Sequence, residues 1–125
     1  MEKGILGVFE EWNRALQTGD PKKVAACYAK EGGILLPTLS PKVRHNREEI
    51  EEYFVYFLAK HPVGSITEAN VRVYGDIAIN SGLYTFELDG EEAGSRVEVA
   101  ARFTYVYKKE GDTWMILEHH SSVLP

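Results

Sequence analysis

Glu118-His119-His120-Ser121-Ser122, near the C-terminal end of the chain, is its densest run of side chains able to do chemistry. Imidazole beside hydroxyl and carboxylate suggests a metal site, or a serine nucleophile with its base. Both need a geometry that this segment does not offer. Residues 113–122 read as a strand, in which successive side chains point to opposite faces. His119 and His120 therefore cannot share one metal ion. Ligands on a strand need i, i+2 spacing, which joins Glu118 to His120 or His119 to Ser121. His45 and His61 lie in a helical half, without the i, i+4 pairing of a zinc helix. Ser121 and Ser122 lack a nucleophile elbow, and neighbours in sequence do not form a triad. The expectation is no metal, no cofactor and no catalytic residue in this run.

The preceding strand, Ser95-Arg-Val-Glu-Val-Ala-Ala-Arg-Phe-Thr-Tyr-Val-Tyr-Lys-Lys109, offers Arg102. Near the strand centre it shares a face with Thr104 and Val106. An arginine walled by apolar groups there needs carboxylate partners or an anionic ligand, because an unpaired buried charge is very costly. Two arrangements would satisfy it: a ligand pocket around Arg102, with Thr104 beside it, that holds a small anion, or an internal salt bridge, for example to Glu98 or Glu118. Which histidine joins them depends on the turn through Lys109-Glu-Gly-Asp-Thr113. A two- or four-residue loop sets His119 on the Arg102 face, whereas a three-residue loop with a bulge sets His120 there. His119 is the expected one. Tyr84 and Tyr53 could reach the same cavity, or serve as core aromatics. No acid–base pair is evident: Asp20 reads as a cap, Asp76, Asp89 and Asp112 as turn residues, and the strand glutamates have no acid partner.

The elements that position these groups change character half-way along the 125 residues. Ile5, Val8, Phe9, Trp12, Ala15 and Leu16 form one helical stripe, stopped at Thr18-Gly19-Asp20. Asp20-Pro21 restarts a short helix reaching about Lys30, with Asp20 as cap and Pro21 as first residue. Ile34-Leu35-Leu36, halted by Pro37, is a brief strand. Asn46 caps a third helix with Glu49 at the capping-box position, and Ile50, Tyr53, Phe54, Phe57 and Leu58 form its apolar face. From Ser65 onward the period is two, giving four strands. Helices segregated from antiparallel strands indicate an α+β class. The chain is expected to be one domain over 1–125.

Composition excludes other classes. The formal charge of −5 leaves no basic footprint for nucleic acid. No apolar run approaches the roughly 20 residues that span a bilayer, so no membrane partner is expected. The opening Met1-Glu2-Lys3 does not read as a signal peptide, and Cys27 alone excludes an internal disulfide. A cytoplasmic location is the resulting expectation.

"EEWNRALQTGDPKKVAACY", "ILLPTLSPKVR", "IEEYFVYFL", "NSGLYTF", "ARFTYVY" and "WMILEHHSSVLP" together resemble the association (hub) domain of calcium/calmodulin-dependent protein kinase II, in its stand-alone, hub-like form. The resemblance implies a cone-shaped nuclear transport factor 2-like fold, with three N-terminal helices packed on a curved antiparallel sheet. It also implies homodimers that pack through the sheet and assemble into a ring, each subunit keeping an arginine-lined cavity between sheet and helices. Arg102 and His120 match that cavity's strands. The kinase members place cavity arginines where this chain has Leu83, Thr104 and Ser121. No kinase domain or calmodulin-binding segment is read in these residues.

Self-association also follows from the strands themselves. Val71, Val73, Ile77, Ile79 and Leu83 alternate with Ala78, Tyr84, Phe86 and Leu88, while Met115 and Leu117 alternate with Trp114 and Ile116. A half-solvated sheet alternates apolar with polar, so the second apolar face needs a cover; a second copy is the simplest, with loops and the C-terminal tail as the alternative. The alternative function is a small SnoaL-like or ketosteroid-isomerase-like enzyme acting on a polyketide or steroid, which needs a deep cavity holding a carboxylate of raised pKa.

Overall fold

Ile5, Phe9, Trp12 and Leu16 are all buried, so α1 (Glu2–Gln17) packs along the stripe its spacing predicts. The computed structural model describes residues 2–125. The Asp20 carboxylate accepts from the Lys22 amide at 2.9 Å and starts α2 (Pro21–Ala25). That helix stops short of the expected Lys30 because the chain turns to meet the last strand. Ile116 N–H donates to the Cys27 carbonyl at 2.9 Å, and Ala29 N–H donates to the Ile116 carbonyl at 2.7 Å. Two hydrogen bonds to the sheet replace another turn of helix. After β1 (Ile34–Leu36), Asn46 caps α3 (Arg47–Leu58) by accepting from the Glu49 amide at 2.9 Å. The five apolar residues expected on its inner side are buried.

Four long strands follow: β2 (Val63–Tyr74), β3 (Ile77–Asp89), β4 (Arg96–Glu110) and β5 (Thr113–Val123). The sheet order is β1-β5-β4-β3-β2, antiparallel throughout except that β1 runs parallel to β5. The fold is α+β, as its element order predicts. Two-residue turns join β2 to β3 and β4 to β5, with Gly75 and Gly111 at φ 62° and 64°, where a side chain would be strained.

Two bulges set which side chains face inward. Between Ile66 and Glu68 the register of β2 slips by Thr67. On the turn side of that bulge Tyr74 pairs with Ile77, so Val71 and Val73 sit across from Asn80 and Ala78 and pack on the core, not on one face with Ile77, Ile79 and Leu83 as expected. Between Glu118 and Ile116 the register of β5 slips by Leu117. A bulged residue reverses the facing of everything on one side of it.

All three helices contribute to one buried cluster with the inner residues Tyr84, Phe86, Phe103, Tyr105, Tyr107 and Ile116. The Asn13 side-chain amide pins α1 to the sheet edge. It donates to the Gly64 carbonyl and accepts from the Gly64 N–H, both at 2.9 Å. On the opposite face, Ile77, Ile79, Leu83, Val106, Met115 and Leu117 are half-buried and lie outside that cluster.

Candidate functional site

The two adjacent histidines go to opposite sides of the sheet. His119 pairs with Tyr105 and is buried; His120 pairs with Thr104 and is exposed. Arg102 pairs with Leu83 and Ser122 and is exposed on the same face as His120. The expectation that His119 shares the Arg102 face is therefore corrected. The turn is the two-residue one, but the bulge at Leu117 undoes the register that such a turn implies. The pocket expected around Arg102 and Thr104 is corrected too, because both project outward from the sheet.

What the interior holds is a neutral hydrogen-bonded cluster. The Trp12 indole N–H donates to the Tyr28 hydroxyl at 3.2 Å. That hydroxyl lies 2.8 Å from His119 Nδ1, and the Tyr84 hydroxyl lies 3.0 Å from His119 Nε2. An indole only donates, so Tyr28 accepts from it and has its own hydrogen free for Nδ1. A neutral imidazole then donates from Nε2 to Tyr84, a tautomer assigned from the network. The Thr38 and Ser121 hydroxyls, which hydrogen-bond each other, line the same cavity as Tyr84. The Tyr105 ring stacks on the imidazole with centroids 4.1 Å apart.

Burial keeps this cluster uncharged. Desolvation, and secondarily the neighbouring His120, hold the His119 pKa down to about 3, so the ring is neutral at physiological pH. Desolvation raises the phenols of Tyr28, Tyr84 and Tyr105 well above their ordinary range. It pushes Tyr53 up to about 12, against an opposing hydrogen bond from the Leu39 backbone.

His119, Tyr84 and Tyr53 line one cavity with Trp12, Thr38 and Ser121. Its volume is about 10 Å³, room for about one water molecule. Among the described residues, no carboxylate, lysine or arginine lines it. The structure thus brings together three of the six expected site residues inside and leaves Arg102, Thr104 and His120 together outside. Tyr28, Trp12 and Thr38 were not expected in the cluster. Ser121 was legible from its i, i+2 spacing to His119. Among the described residues, no three His, Cys, Asp or Glu side chains converge as a metal site would require.

The family profile of the calcium/calmodulin dependent protein kinase II association domain matches residues 1–125. The chain belongs to that association-domain family. Among curated proteins none matches the sequence. Solved structures agree on the fold. A candidate association domain from Xanthomonas campestris is 47% identical, with a TM-score of 0.92 over 97% of this chain and 86% of that one. A nuclear transport factor 2-like superfamily protein from Salmonella enterica is 15% identical, with a TM-score of 0.82 over 98% of this chain and 90% of that one. A ketosteroid isomerase-like protein from Erwinia carotovora is 16% identical, with a TM-score of 0.75 over 98% and 95%. At such identities the last two show a nuclear transport factor 2-like fold and nothing about chemistry. In this association domain, two of the positions implied to carry cavity arginines, Leu83 and Thr104, lie on the outer face; Ser121 faces the cavity. No helix among the described residues is long and apolar enough to cross a membrane.

Proposed function

We propose that this association domain is a self-association module, pairing through the outer face of its sheet into dimers that assemble into a ring. One observation carries the reading. The outer face keeps Ile77, Ile79, Leu83, Val106, Met115 and Leu117 half-buried, although every helix packs on the other side. Apolar side chains in that number on an open sheet face are stabilised by a cover, and two copies of the same face cover each other. Family membership supports association in general terms. In this reading Arg102, Thr104 and His120 are interface residues, not ligands of an interior cavity. Among the described residues, that one-water space offers an interior anion no cation and a small-substrate enzyme no carboxylate.

The test is mass in solution. Native mass spectrometry and light scattering at micromolar concentration should give even multiples of the chain mass. Leu83→Glu, at the centre of the face, should give monomers with unchanged far-ultraviolet circular dichroism. A wild-type monomer at micromolar concentration ends the proposal.

A further inference from the structure

The strand register places charges on the outer face in a pattern that a second copy can read. One row across the sheet runs Glu68, Leu83, Arg102, Ser122 from β2 to β5. The row four residues away runs Arg72, Ile79, Val106, Glu118. The first row is thus negative on the β2 side and positive toward β5, and the second is the reverse. All four charged residues are exposed. Among the described residues, none of the four has an oppositely charged side chain within 4.0 Å; the ion pairs present lie elsewhere. Two of the four are held in place by neutral neighbours. Glu68 accepts from the Asn70 amide at 3.0 Å, and Arg72 donates to the Ser81 hydroxyl at 2.8 Å.

We infer that these four residues are the orienting contacts of the self-association face, and that their partner is a second copy of this chain. The inference rests on the proposed function and adds what selects the pairing. Face-to-face contact between identical sheets has a two-fold axis lying in the contact plane. Aligned sheet packing lets that axis run along the strands or across them. An axis along the strands exchanges the two sides of the sheet. Glu68 then meets Arg102 of the second copy, and Arg72 meets Glu118. An axis across the strands exchanges the rows, so that Glu68 meets Arg72 and Arg102 meets Glu118. An alternating four-charge pattern is complementary to itself under either operation. The apolar residues between the rows supply the burial, and the charges disfavour misregistered pairings.

Charge reversal and its repair test this. The dimer dissociation constant is measured by sedimentation for wild type, Arg102→Glu and two repairs, Arg102→Glu with Glu118→Arg and Arg102→Glu with Glu68→Arg. Arg14→Glu on α1 alters net charge equally, away from the face, and serves as control. Arg102→Glu should weaken the dimer by about tenfold or more, because symmetry counts each like-charge contact twice. One of the two repairs should return it to within about threefold of wild type, and which one does so reports the axis. The inference is overturned if Arg102→Glu behaves like Arg14→Glu, or if both repairs stay as weak as the single reversal. Either result leaves the self-association reading standing; a monomeric wild type would end both.

Discussion

His119 makes the fold acid-sensitive by an amount that follows from its environment. An imidazole in the unfolded chain titrates near 6.5, and burial in the aromatic core holds it at about 3 in the folded protein. Between those values the unfolded chain binds a proton that the folded chain refuses, so stability rises with pH across that window and falls as pH drops through 6.5. Above about pH 7 the contribution is nil. At pH 5 the unfolded state is favoured by about 1.5 units, so the loss between pH 7 and pH 5 is about 2 kcal/mol. His119→Gln isolates this effect, since an amide can accept from Tyr28 and donate to Tyr84 yet does not titrate. The variant gives up the stack on Tyr105 and should be less stable at pH 7 by about 1–3 kcal/mol. Its stability should nonetheless be less pH-dependent than wild type by those 2 kcal/mol. Exposed pairs such as His45 with Glu49 and His61 with Asp89 are common to both chains and cancel. The assay is urea unfolding at pH 7 and pH 5 at fixed protein concentration, which keeps any association term constant. As an independent check, the His119 ring resonances should stay in their neutral form at pH 5. Equal pH slopes for the two chains, or a ring that protonates above pH 5 in the folded state, would refute the reasoning.

Two other expectations are local. A methyl group on Gly82 would come 2.1 Å from the Glu68 carbonyl oxygen, which the Thr67 bulge carries over the strand. Gly82→Ala should cost at least about 2 kcal/mol in urea unfolding, and a cost below about 0.5 kcal/mol would mean the bulge is free to move. Burial, reinforced by Glu11, pushes the Cys27 thiol up to about 11. At pH 8 it should react with a thiol reagent roughly a hundredfold slower in the native protein than in urea. Similar rates would contradict the burial of its sulfur.

The helices and strands were legible because their signals are local and repeated. Asn46 with Glu49, Asp20 with Pro21, and the stripe from Ile5 to Leu16 each name an element without help from the rest of the chain. The end of α2 was not legible, because the hydrogen bonds that Ile116 donates to Cys27 and accepts from Ala29 decide it, across a long stretch of sequence. The two bulges differ from each other in this respect. A lone glycine inside a strand pattern signals a close backbone approach, so Gly82 was a usable sign of the bulge at Thr67. Leu117 gave no sign. It extends the apolar run Trp114-Met115-Ile116, where alternation between faces cannot be read because every position is apolar.

That unreadable residue decides which histidine faces the core and which faces outward. Without it, His119 would share the outer face with Arg102, and His120 would be driven into the core. With it, the imidazole buried among Tyr28, Tyr84 and Tyr105 is a neutral hydrogen-bonding wedge whose two nitrogens are already used. The space left beside it admits about one water, so chemistry on a larger molecule would first require the core to open. Opening would expose polar groups whose hydrogen bonds now close on one another, each worth roughly 1 kcal/mol net. The outer face bears no such cost: among the described residues Glu68, Arg72, Arg102 and Glu118 have no ion-pair partner, the apolar residues between them are half-buried, and the helices pack on the other side. In the proposed reading, a fold with a closed interior and an apolar outer face meets a second copy of itself at that face.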